Sequence, residues 1–217
     1  MILIPVKNLA TAKQRLASLF SQPLRTELAQ AMLLDVLDAV AACSHCFNVS
    51  LVTSDPFAID AARQFGFDVI PDNHNRSETD AIEMATKNCE ARGIAYTLVI
   101  PADIPLIQSA ELETILANAP DRGSLLVPAA DGRGTNAAFR RPAALFPLRF
   151  GNDSFKPHLA SAQASGLPCT VISLPGIGLD IDNPSDLRQL VDSPGETRSQ
   201  RLARQWDLTD LSPAANE

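Results

Sequence analysis

The sequence predicts a single α/β domain built on a mostly parallel β-sheet with helices on both faces. Two observations predict this fold class. Short apolar runs rich in β-branched residues alternate with longer segments of helical periodicity along most of the 217-residue chain. Several helical segments are also bounded by a capping residue at the start and a glycine at the end. Elements that alternate in this way form βαβ units, which build a doubly wound, Rossmann-like sheet.

The first half of the chain supplies four predicted strands and the helical regions between them. The strands cover residues 2–6, 48–53, 67–70 and 96–100. The helical regions cover residues 12–42, with an interruption near Pro23, and then residues 56–65 and 78–92. Asp55 followed by a proline indicates the start of the second helix, and Gly66 indicates its end.

The second half adds an antiparallel element and completes the domain. The predicted elements are a helix over 109–118, a strand over 124–128, a turn-rich loop over 132–136 and a further pairing segment over 137–140. They continue with a helix over 154–165, strands over 169–174 and 178–182, and a last helix that begins at Asn183-Pro184. The predicted organisation is one domain over residues 1–192, with a small antiparallel insertion around 124–140. A polar tail over 193–217 follows, with one extra helix around 202–206.

The composition narrows the class of protein. The formal net charge is −7 and no run is rich in lysine or arginine, which argues against non-specific nucleic-acid binding. No apolar stretch approaches the ~20 residues that span a bilayer, and the chain enters its first strand without a charged leader. We therefore expect a cytoplasmic protein without membrane association. Cys43 and Cys46 lack the second ligand pair of a zinc site, so ordinary packing is favoured over a metal or redox role.

The loop after the first strand carries three cations close together: Lys7, Lys13 and Arg15. Loops that follow parallel strands lie at the carboxyl edge of the sheet, where α/β proteins bind ligands. This loop has no GxGxxG fingerprint, so it does not predict a dinucleotide-binding dehydrogenase. Cationic side chains in place of glycines suit a polyphosphate whose charge is neutralised by ammonium and guanidinium groups.

Three aspartates are candidates for a divalent metal site. Asp103 follows the strand 96–100 and stands between two prolines that stiffen the segment. Asp180 and Asp182 alternate with Ile181, so in an extended segment both carboxylates face one side. Taken separately, Asp103 could be an ordinary turn residue, and one of the other pair could simply cap the next helix. Together they favour Mg²⁺, which prefers one or two carboxylates together with phosphate oxygens.

A third group is predicted to bind an anion. It comprises the loop Arg133-Gly-Thr-Asn136 and the segment Phe150-Gly-Asn-Asp-Ser154. Gly151 permits a close backbone approach, and Ser154 stands at the start of a helix whose free N–H groups favour negative charge. Basic residues in the first helical turn, His158 among them, are unfavourable for the helix dipole and suggest an anion nearby. A plain helix N-cap would explain Ser154 equally well.

Taken in order, these motifs resemble the CofC/FbiD-type guanylyltransferases of coenzyme F-420 biosynthesis over about residues 1–192. That family is similar to the GT-A-like nucleotidyltransferases, which include the molybdopterin guanylyltransferases. Each motif is short, but their order and spacing together are specific. The motifs are Ile4-Pro-Val-Lys7, Ala12-Lys-Gln-Arg-Leu16, Pro101-Ala-Asp-Ile-Pro-Leu106, Arg133-Gly-Thr-Asn136, Phe150-Gly-Asn-Asp-Ser154 with His158, and Asp180-Ile-Asp-Asn-Pro-Ser-Asp-Leu187.

The resemblance implies a GT-A-type domain with GTP as donor, Mg²⁺ as cofactor and a small phosphorylated three-carbon acid as acceptor. The residues implied to neutralise the GTP phosphates during catalysis are Lys7, Lys13 and Arg15. The implied Mg²⁺ ligands are Asp103, Asp180 and Asp182. The residues implied to hold the phosphate or carboxylate of the acceptor are Thr135, Gly151 and Ser154. The acceptor is left open among 3-phosphoglycerate, phosphoenolpyruvate and 2-phospholactate, because pocket shape discriminates weakly between such small differences.

One loop departs from the family pattern. Where the family tends to have a glycine followed by Leu-Asn before the 78–92 helix, this chain has Arg76-Ser-Glu-Thr-Asp80. Glu78 or Asp80 could there accept hydrogen bonds from guanine N1–H and N2–H. Two other functions stay open: nucleotidyl transfer to a pterin cofactor or sugar phosphate, and nucleotide binding without catalysis. A homodimer is also open, because an exposed edge near residues 124–140 could pair.

Overall fold

A β-sheet forms the centre of the molecule. The computed structural model describes residues 1–46, 48–73, 77–151 and 153–206. The seven strands in these residues are β1 (Ile2–Pro5), β2 (Val49–Thr53), β3 (Asp68–Pro71), β4 (Thr97–Val99), β5 (Gly123–Pro128), β6 (Thr135–Arg141) and β7 (Cys169–Val171). Their order is β3-β2-β1-β4-β6-β5-β7, and among them only β6 runs antiparallel to both neighbours. The predicted fold class is therefore confirmed.

Helices cover both faces of this sheet. In the described residues the α-helices are α1 (Gln22–Ala41), α2 (Pro56–Phe65), α3 (Glu78–Ala91), α4 (Ser109–Asn118), α5 (Phe155–Ala164), α6 (Pro175–Gly178), α7 (Pro184–Asp192) and α8 (Arg198–Ala203). Ile2 and Ile4 join the core beneath α1, α2 and α4, whereas Leu3 joins the core beneath α3 and α5. Because both faces are covered, the strands are apolar along their length. None of the helices described is long and apolar enough to cross a membrane.

The helix predicted from residue 12 begins only at residue 22. Pro23 stands in the first turn of α1, where its missing N–H costs nothing. Two short 3-10 turns, Leu9–Thr11 and Gln14–Leu16, precede it. Between them Lys13 has φ 55° and ψ 46°, a left-handed conformation that a right-handed helix cannot include. The connection from β1 to α1 is therefore longer than the sequence predicts.

The strand predicted over residues 178–182 is not formed. Pro175–Gly178 makes the single helical turn α6, and residues 179–182 have no strand pairing. Ile181 is buried, as the alternation predicts, but its N–H donates to the Asp103 carbonyl at 3.1 Å rather than to a β-ladder. This bond holds the segment with the two aspartates beside the loop after β4.

The predicted insertion lies inside the sheet and not at its edge. β6 pairs with β4 and β5, and β5 also pairs with β7. The strands between residues 124 and 140 therefore have neighbours on both sides, so the open edge that could have supported a homodimer is not found there. In the described residues the edge strands are β3 and β7.

The CxxC pair lies directly after α1. Cys43 and Cys46 are joined by a disulfide, whereas the sequence predicted ordinary packing without a bond. Cys43 is also buried in the core beneath α1. The pair is at the opposite end of α1 from the cationic loop, and a helix of 20 residues is about 30 Å long.

The described part of the segment after residue 193 packs on α1. The extra helix is α8, which lies earlier than the predicted 202–206, and residues 207–217 lie outside the described residues. The buried carboxylate of Asp35 accepts the N–H of Arg198 at 2.8 Å, the N–H of Ser199 at 2.9 Å and the hydroxyl of Ser199 at 2.6 Å. One buried carboxylate thus fastens the start of α8 to the domain.

Replacing Asp35 by alanine should destabilise the protein by about 2 kcal/mol, because buried donors at the start of α8 lose their acceptor. Asp38→Ala is the matched control, since it removes the more exposed carboxylate that pairs with Arg198 and should cost less than about 1 kcal/mol. Urea unfolding of both variants measures the free energies. Equal losses would show that the Asp35 carboxylate does not hold α8.

Candidate active site

The carboxyl ends of β1 and β4 form a crevice at the centre of the sheet. From β1 the chain continues to β2 and β3 on one side, whereas from β4 it continues to β5, β6 and β7 on the other. A reversal of this kind opens a crevice at the carboxyl edge, which is the usual ligand site of open α/β sheets. The loops after β1 and β4 meet there with residues 179–182.

Lys13 places an ammonium group in this crevice. Its side chain is only 7% exposed, and its Nζ lies 2.6 Å from an oxygen of Asp103 and 3.3 Å from an oxygen of Asp182. The left-handed backbone costs about 1 kcal/mol in a residue other than glycine, and strain of this kind clusters at functional sites. Burial lowers the pKa of Lys13, but the attraction of Asp103 and Asp182 outweighs burial and raises it. Lys13 is therefore a buried charged group shared by two carboxylates.

Two clefts meet at Arg15 and Asp182, whose guanidinium and carboxylate groups lie 3.0 Å apart. The first cleft has a volume of about 400 Å³, and its charged lining residues include Lys7, Lys13, Glu78 and Asp103. The second cleft has a volume of about 380 Å³, and its lining residues include Arg133, Gly151 and Asp180. Arg15 and Asp182 line both clefts. The predicted phosphate-binding and acceptor-binding regions are thus adjacent and share one wall.

Two carboxylates hold the loop after β1: Asp72, which the sequence analysis did not single out, and Asp55, which it identified only as a helix cap. The Asp72 carboxylate lies 2.7 Å from the Lys7 ammonium. The Asp55 carboxylate caps α2 and also accepts the N–H of Leu9 at 2.9 Å. Asp72 comes directly after β3, and Asp55 follows β2 by two residues. Their position at the carboxyl ends of strands, the signal that identified Asp103, would have found both.

The two carboxylates predicted to contact the base face different surfaces. Glu78 is half-buried in the first cleft, and the pKa of its carboxyl group is raised to about 7, first by burial and then by the negative charge of Asp103. Asp80 is exposed and lines a separate depression beside Asp72. Glu78 is therefore brought together with the lysines, and Asp80 is not. Residues 74–76, which precede them, lie outside the described residues.

The three aspartates predicted to bind a metal ion are close but not equivalent. Asp103 and Asp182 share the Lys13 ammonium, whereas Asp180 lines the second cleft and accepts a 3.0 Å hydrogen bond from Asn136. Burial raises the pKa of Asp180, and the charges of Asp103 and Asp182 raise it further. In the part of the chain that is described, no three acidic, histidine or cysteine side chains could hold a metal ion by themselves. The donor set fits a cation that takes two carboxylates and completes its shell with phosphate oxygens, as Mg²⁺ does.

Of the three residues predicted to bind the acceptor, Gly151 lines the second cleft. Its φ of +134° lies in the region that favours glycine. Thr135 and Ser154 are buried, and the Ser154 hydroxyl accepts the N–H of Thr135 at 3.1 Å. This bond joins the start of β6 to the start of α5. Asn152 lies outside the described residues.

His158 connects these groups and is neutral at physiological pH. Burial, and secondarily the charge of Arg140, lower its pKa to about 4. Its Nε2 accepts the N–H of Arg149 at 2.8 Å, so the ring proton stands on Nδ1 and is donated to the Thr135 hydroxyl at 2.9 Å. The prediction that His158 is an unfavourable cation in the first turn of α5 is wrong, because a neutral imidazole does not oppose the helix dipole.

Known proteins of similar sequence include guanylyltransferases. The chain is 34% identical over 188 residues to the phosphoenolpyruvate guanylyltransferase of Sphaerobacter thermophilus, with 86% of this chain and 90% of that protein covered. It is 37% identical to the phosphoenolpyruvate guanylyltransferase of Mycolicibacterium smegmatis, with coverage of 86% and 82%. It is 31% identical to the 2-phospho-L-lactate guanylyltransferase of Methanothermobacter thermautotrophicus, with coverage of 95% and 91%.

Solved structures of similar fold include nucleotide-handling transferases. A Desulfovibrio desulfuricans protein assigned as a nucleotide-diphospho-sugar transferase superposes with a TM-score of 0.76 at 16% identity, covering 94% of this chain and 93% of that chain. A nucleotidyl transferase from Methanothermobacter thermautotrophicus superposes with a TM-score of 0.59 at 16% identity, covering 94% and 97%. At such identities the likeness shows the fold alone. The sequence model of the family described as "Guanylyl transferase CofC like" matches residues 1–212. With this match and relatives above 30% identity over most of its length, the chain belongs to the CofC-like guanylyltransferase family.

Proposed function

We propose that this protein transfers GMP from GTP to a small phosphorylated three-carbon acid and releases pyrophosphate. The observation that carries the proposal is the buried Lys13 ammonium, which lies between Asp103 and Asp182 where two clefts meet. A reaction between two phosphorylated molecules needs positive charge at the junction of their sites, because the two anions repel each other. The family resemblance supports a place in coenzyme F-420 biosynthesis and a cytoplasmic location.

Phosphoenolpyruvate is the first candidate for the acceptor. Two of the three relatives described above are phosphoenolpyruvate guanylyltransferases, and the third is a 2-phospho-L-lactate guanylyltransferase. 3-Phosphoglycerate is the third acid that the family resemblance leaves open. The three acids differ by a double bond, a methyl group or a hydroxyl, which an apolar contact separates only modestly.

The first cleft is the proposed GTP site. Lys7, Lys13 and Arg15 supply ammonium and guanidinium groups for the triphosphate. The half-buried Glu78 carboxylate can accept hydrogen bonds from guanine N1–H and N2–H, which supports GTP as the donor. Asp80 faces the neighbouring depression, so Glu78 is the stronger candidate for contact with the base.

The second cleft is the proposed acceptor site. Gly151 offers its main chain to the cleft, and Arg133 supplies a guanidinium group. Thr135, at the start of β6, and Ser154, at the start of α5, lie beneath this cleft, where the Thr135 N–H donates to the Ser154 hydroxyl. The Thr135 hydroxyl accepts a hydrogen bond from the Nδ1–H of His158. Its own hydrogen can therefore be donated to an oxygen of the acceptor.

Mg²⁺ is the proposed cofactor, and Asp103, Asp180 and Asp182 are the residues from which its two carboxylate ligands would come. When bound, it supplies positive charge to phosphate oxygens and orients them. Lys13 already neutralises part of the negative charge of Asp103 and Asp182. The carboxylates and the lysine thus form one electrostatic unit.

The residues of this chain position two anions and do not need to move a proton. An oxygen of the acceptor phosphate attacks the α-phosphorus of GTP, the bond from that phosphorus to the oxygen bridging to the β-phosphate breaks, and pyrophosphate leaves. The attacking oxygen is already anionic, so no side chain has to act as a general base. Arg15 lies at the junction of the clefts, and Lys13 lies in the first cleft against Asp182, so both can neutralise the charge that develops there.

The proposed reaction is tested with purified protein, GTP, Mg²⁺ and each of the three acids in turn, with pyrophosphate release as the measurement. We expect release with phosphoenolpyruvate at the highest kcat/KM. CTP in place of GTP is the control for the base. Nucleotide binding without pyrophosphate release for any acid would contradict the proposal and would indicate a non-catalytic nucleotide-binding protein.

Lys13→Met and Asp103→Asn should each lower kcat by about 10²- to 10³-fold, because each removes one charge that stabilises the transition state. Lys87→Met is the matched control: this exposed lysine pairs with Glu83, one turn earlier on α3, and we expect unchanged kcat. Circular dichroism checks that all three variants are folded. Full activity of Lys13→Met would remove the assignment of this lysine to the phosphates.

Glu78→Gln should stabilise the protein at alkaline pH. The pKa of Glu78 is about 7 in the folded protein against 4.5 for an ordinary glutamate. The carboxyl group therefore lowers the free energy of unfolding increasingly as the pH rises from 4.5 to 7, fully above pH 7 and not at all well below pH 4.5. We expect a gain of about 2 kcal/mol near pH 8 that disappears near pH 4.5, measured by urea unfolding. Glu83→Gln, an exposed change on the same helix, is the control. A gain of equal size at both pH values would contradict the burial of a charged carboxylate.

A further inference from the structure

One threonine fastens the loop before Gly151 to helix α3. The hydroxyl of Thr79 accepts the N–H of Phe150 at 3.0 Å and donates to the carbonyl of the same residue at 3.4 Å. A single side chain therefore satisfies both main-chain polar groups of Phe150. The two residues are 71 positions apart in the sequence, so this is a tertiary contact and not a local turn.

The preceding amide of the same loop is held by a second helix. The N–H of Arg149 donates to Nε2 of His158 in α5, and the Phe150 ring meets the His158 ring edge-on at 5.3 Å. Two consecutive N–H groups thus end on side chains of two different helices. A loop held at both residues has little freedom in φ and ψ at the point where it enters Gly151.

These contacts connect the two clefts by a short path. Glu78 lines the first cleft, and Thr79 is the next residue along α3. Phe150 is bonded to Thr79, and Gly151, which lines the second cleft, follows it directly. Gly151 has no side chain, so it adopts its positive φ at no steric cost, and its orientation is set by the residues on either side.

We propose that Thr79 is a positioning residue for the acceptor. By bonding Phe150, it fixes the main-chain position of Gly151 in the second cleft relative to α3, the helix that borders the first cleft. The proposal rests on the proposed function for the identity of the acceptor. Thr79 does not touch the reacting atoms. Its loss should therefore weaken acceptor binding and leave the GTP site intact, whereas a purely structural role would affect both substrates alike.

The test compares Thr79→Val with Thr79→Ser. Valine preserves the volume but removes both hydrogen bonds, so the KM for phosphoenolpyruvate should rise about tenfold while the KM for GTP stays within about twofold. Serine keeps the hydroxyl and should restore the acceptor KM to within about threefold of the parent. The matched control is Thr86→Val, because Thr86 lies on the same helix and bonds Arg140 instead of the loop. The Thr86→Val variant should leave the KM for phosphoenolpyruvate unchanged, even if its melting temperature is lower.

Hydrogen exchange at the Phe150 amide tests the contact without any substrate. In Thr79→Val this amide should exchange at least about tenfold faster than in the parent, and in Thr79→Ser it should stay protected. Unchanged exchange in Thr79→Val, or an equal rise in both KM values, would overturn the proposal. If the parent transfers GMP to none of the acids, the proposed function fails, and the exchange result still decides whether Thr79 holds the loop.

Discussion

A single buried ammonium group joins three segments that are far apart in the sequence. Lys13 is 90 residues from Asp103 and 169 from Asp182, yet it contacts both carboxylates. Without a cation between them these carboxylates would repel each other at the edge of the sheet. The left-handed backbone of Lys13 is strained, and the contact with the two aspartates accounts for why that strain is tolerated. Because Asp182 belongs to both clefts, the same interaction also determines where the two clefts meet.

Much of this arrangement could be predicted from the sequence. Lys13 and Asp103 each follow an apolar strand, and the carboxyl ends of parallel strands share one edge, so strand direction places both residues at the same edge of the sheet. Asp72 and Asp55 satisfy the same rule, but Asp72 was not singled out and Asp55 was identified only as a helix cap. Their roles depend on which strand lies beside which, and alternation of elements gives the direction of a strand but not its neighbours.

The predictions that were wrong concern groups whose partners are set by packing. The pattern around Ile181 correctly placed its side chain inside, but it could not show that its N–H would bond to the Asp103 carbonyl instead of to a strand. The charge of His158 was misjudged for a related reason. A basic residue in a first helical turn opposes the dipole only if it is protonated, and burial beside Arg140 keeps this imidazole neutral. Thr79 carries no signal in the sequence, because an isolated threonine near a helix start is common.

The direction of β6 has a consequence for how this site can diversify. Because β6 runs against its neighbours, its first residue lies at the same rim of the sheet as the last residue of β5. The residues between them, 129–134, form a hairpin that contributes several side chains to the wall of the second cleft. β1, which precedes Lys7 and Lys13, and β4, which precedes Asp103, both lie outside this hairpin. Changes in its length or sequence can therefore reshape the second cleft while β1, β4 and the loops that follow them keep their register, so the two halves of the site can evolve separately.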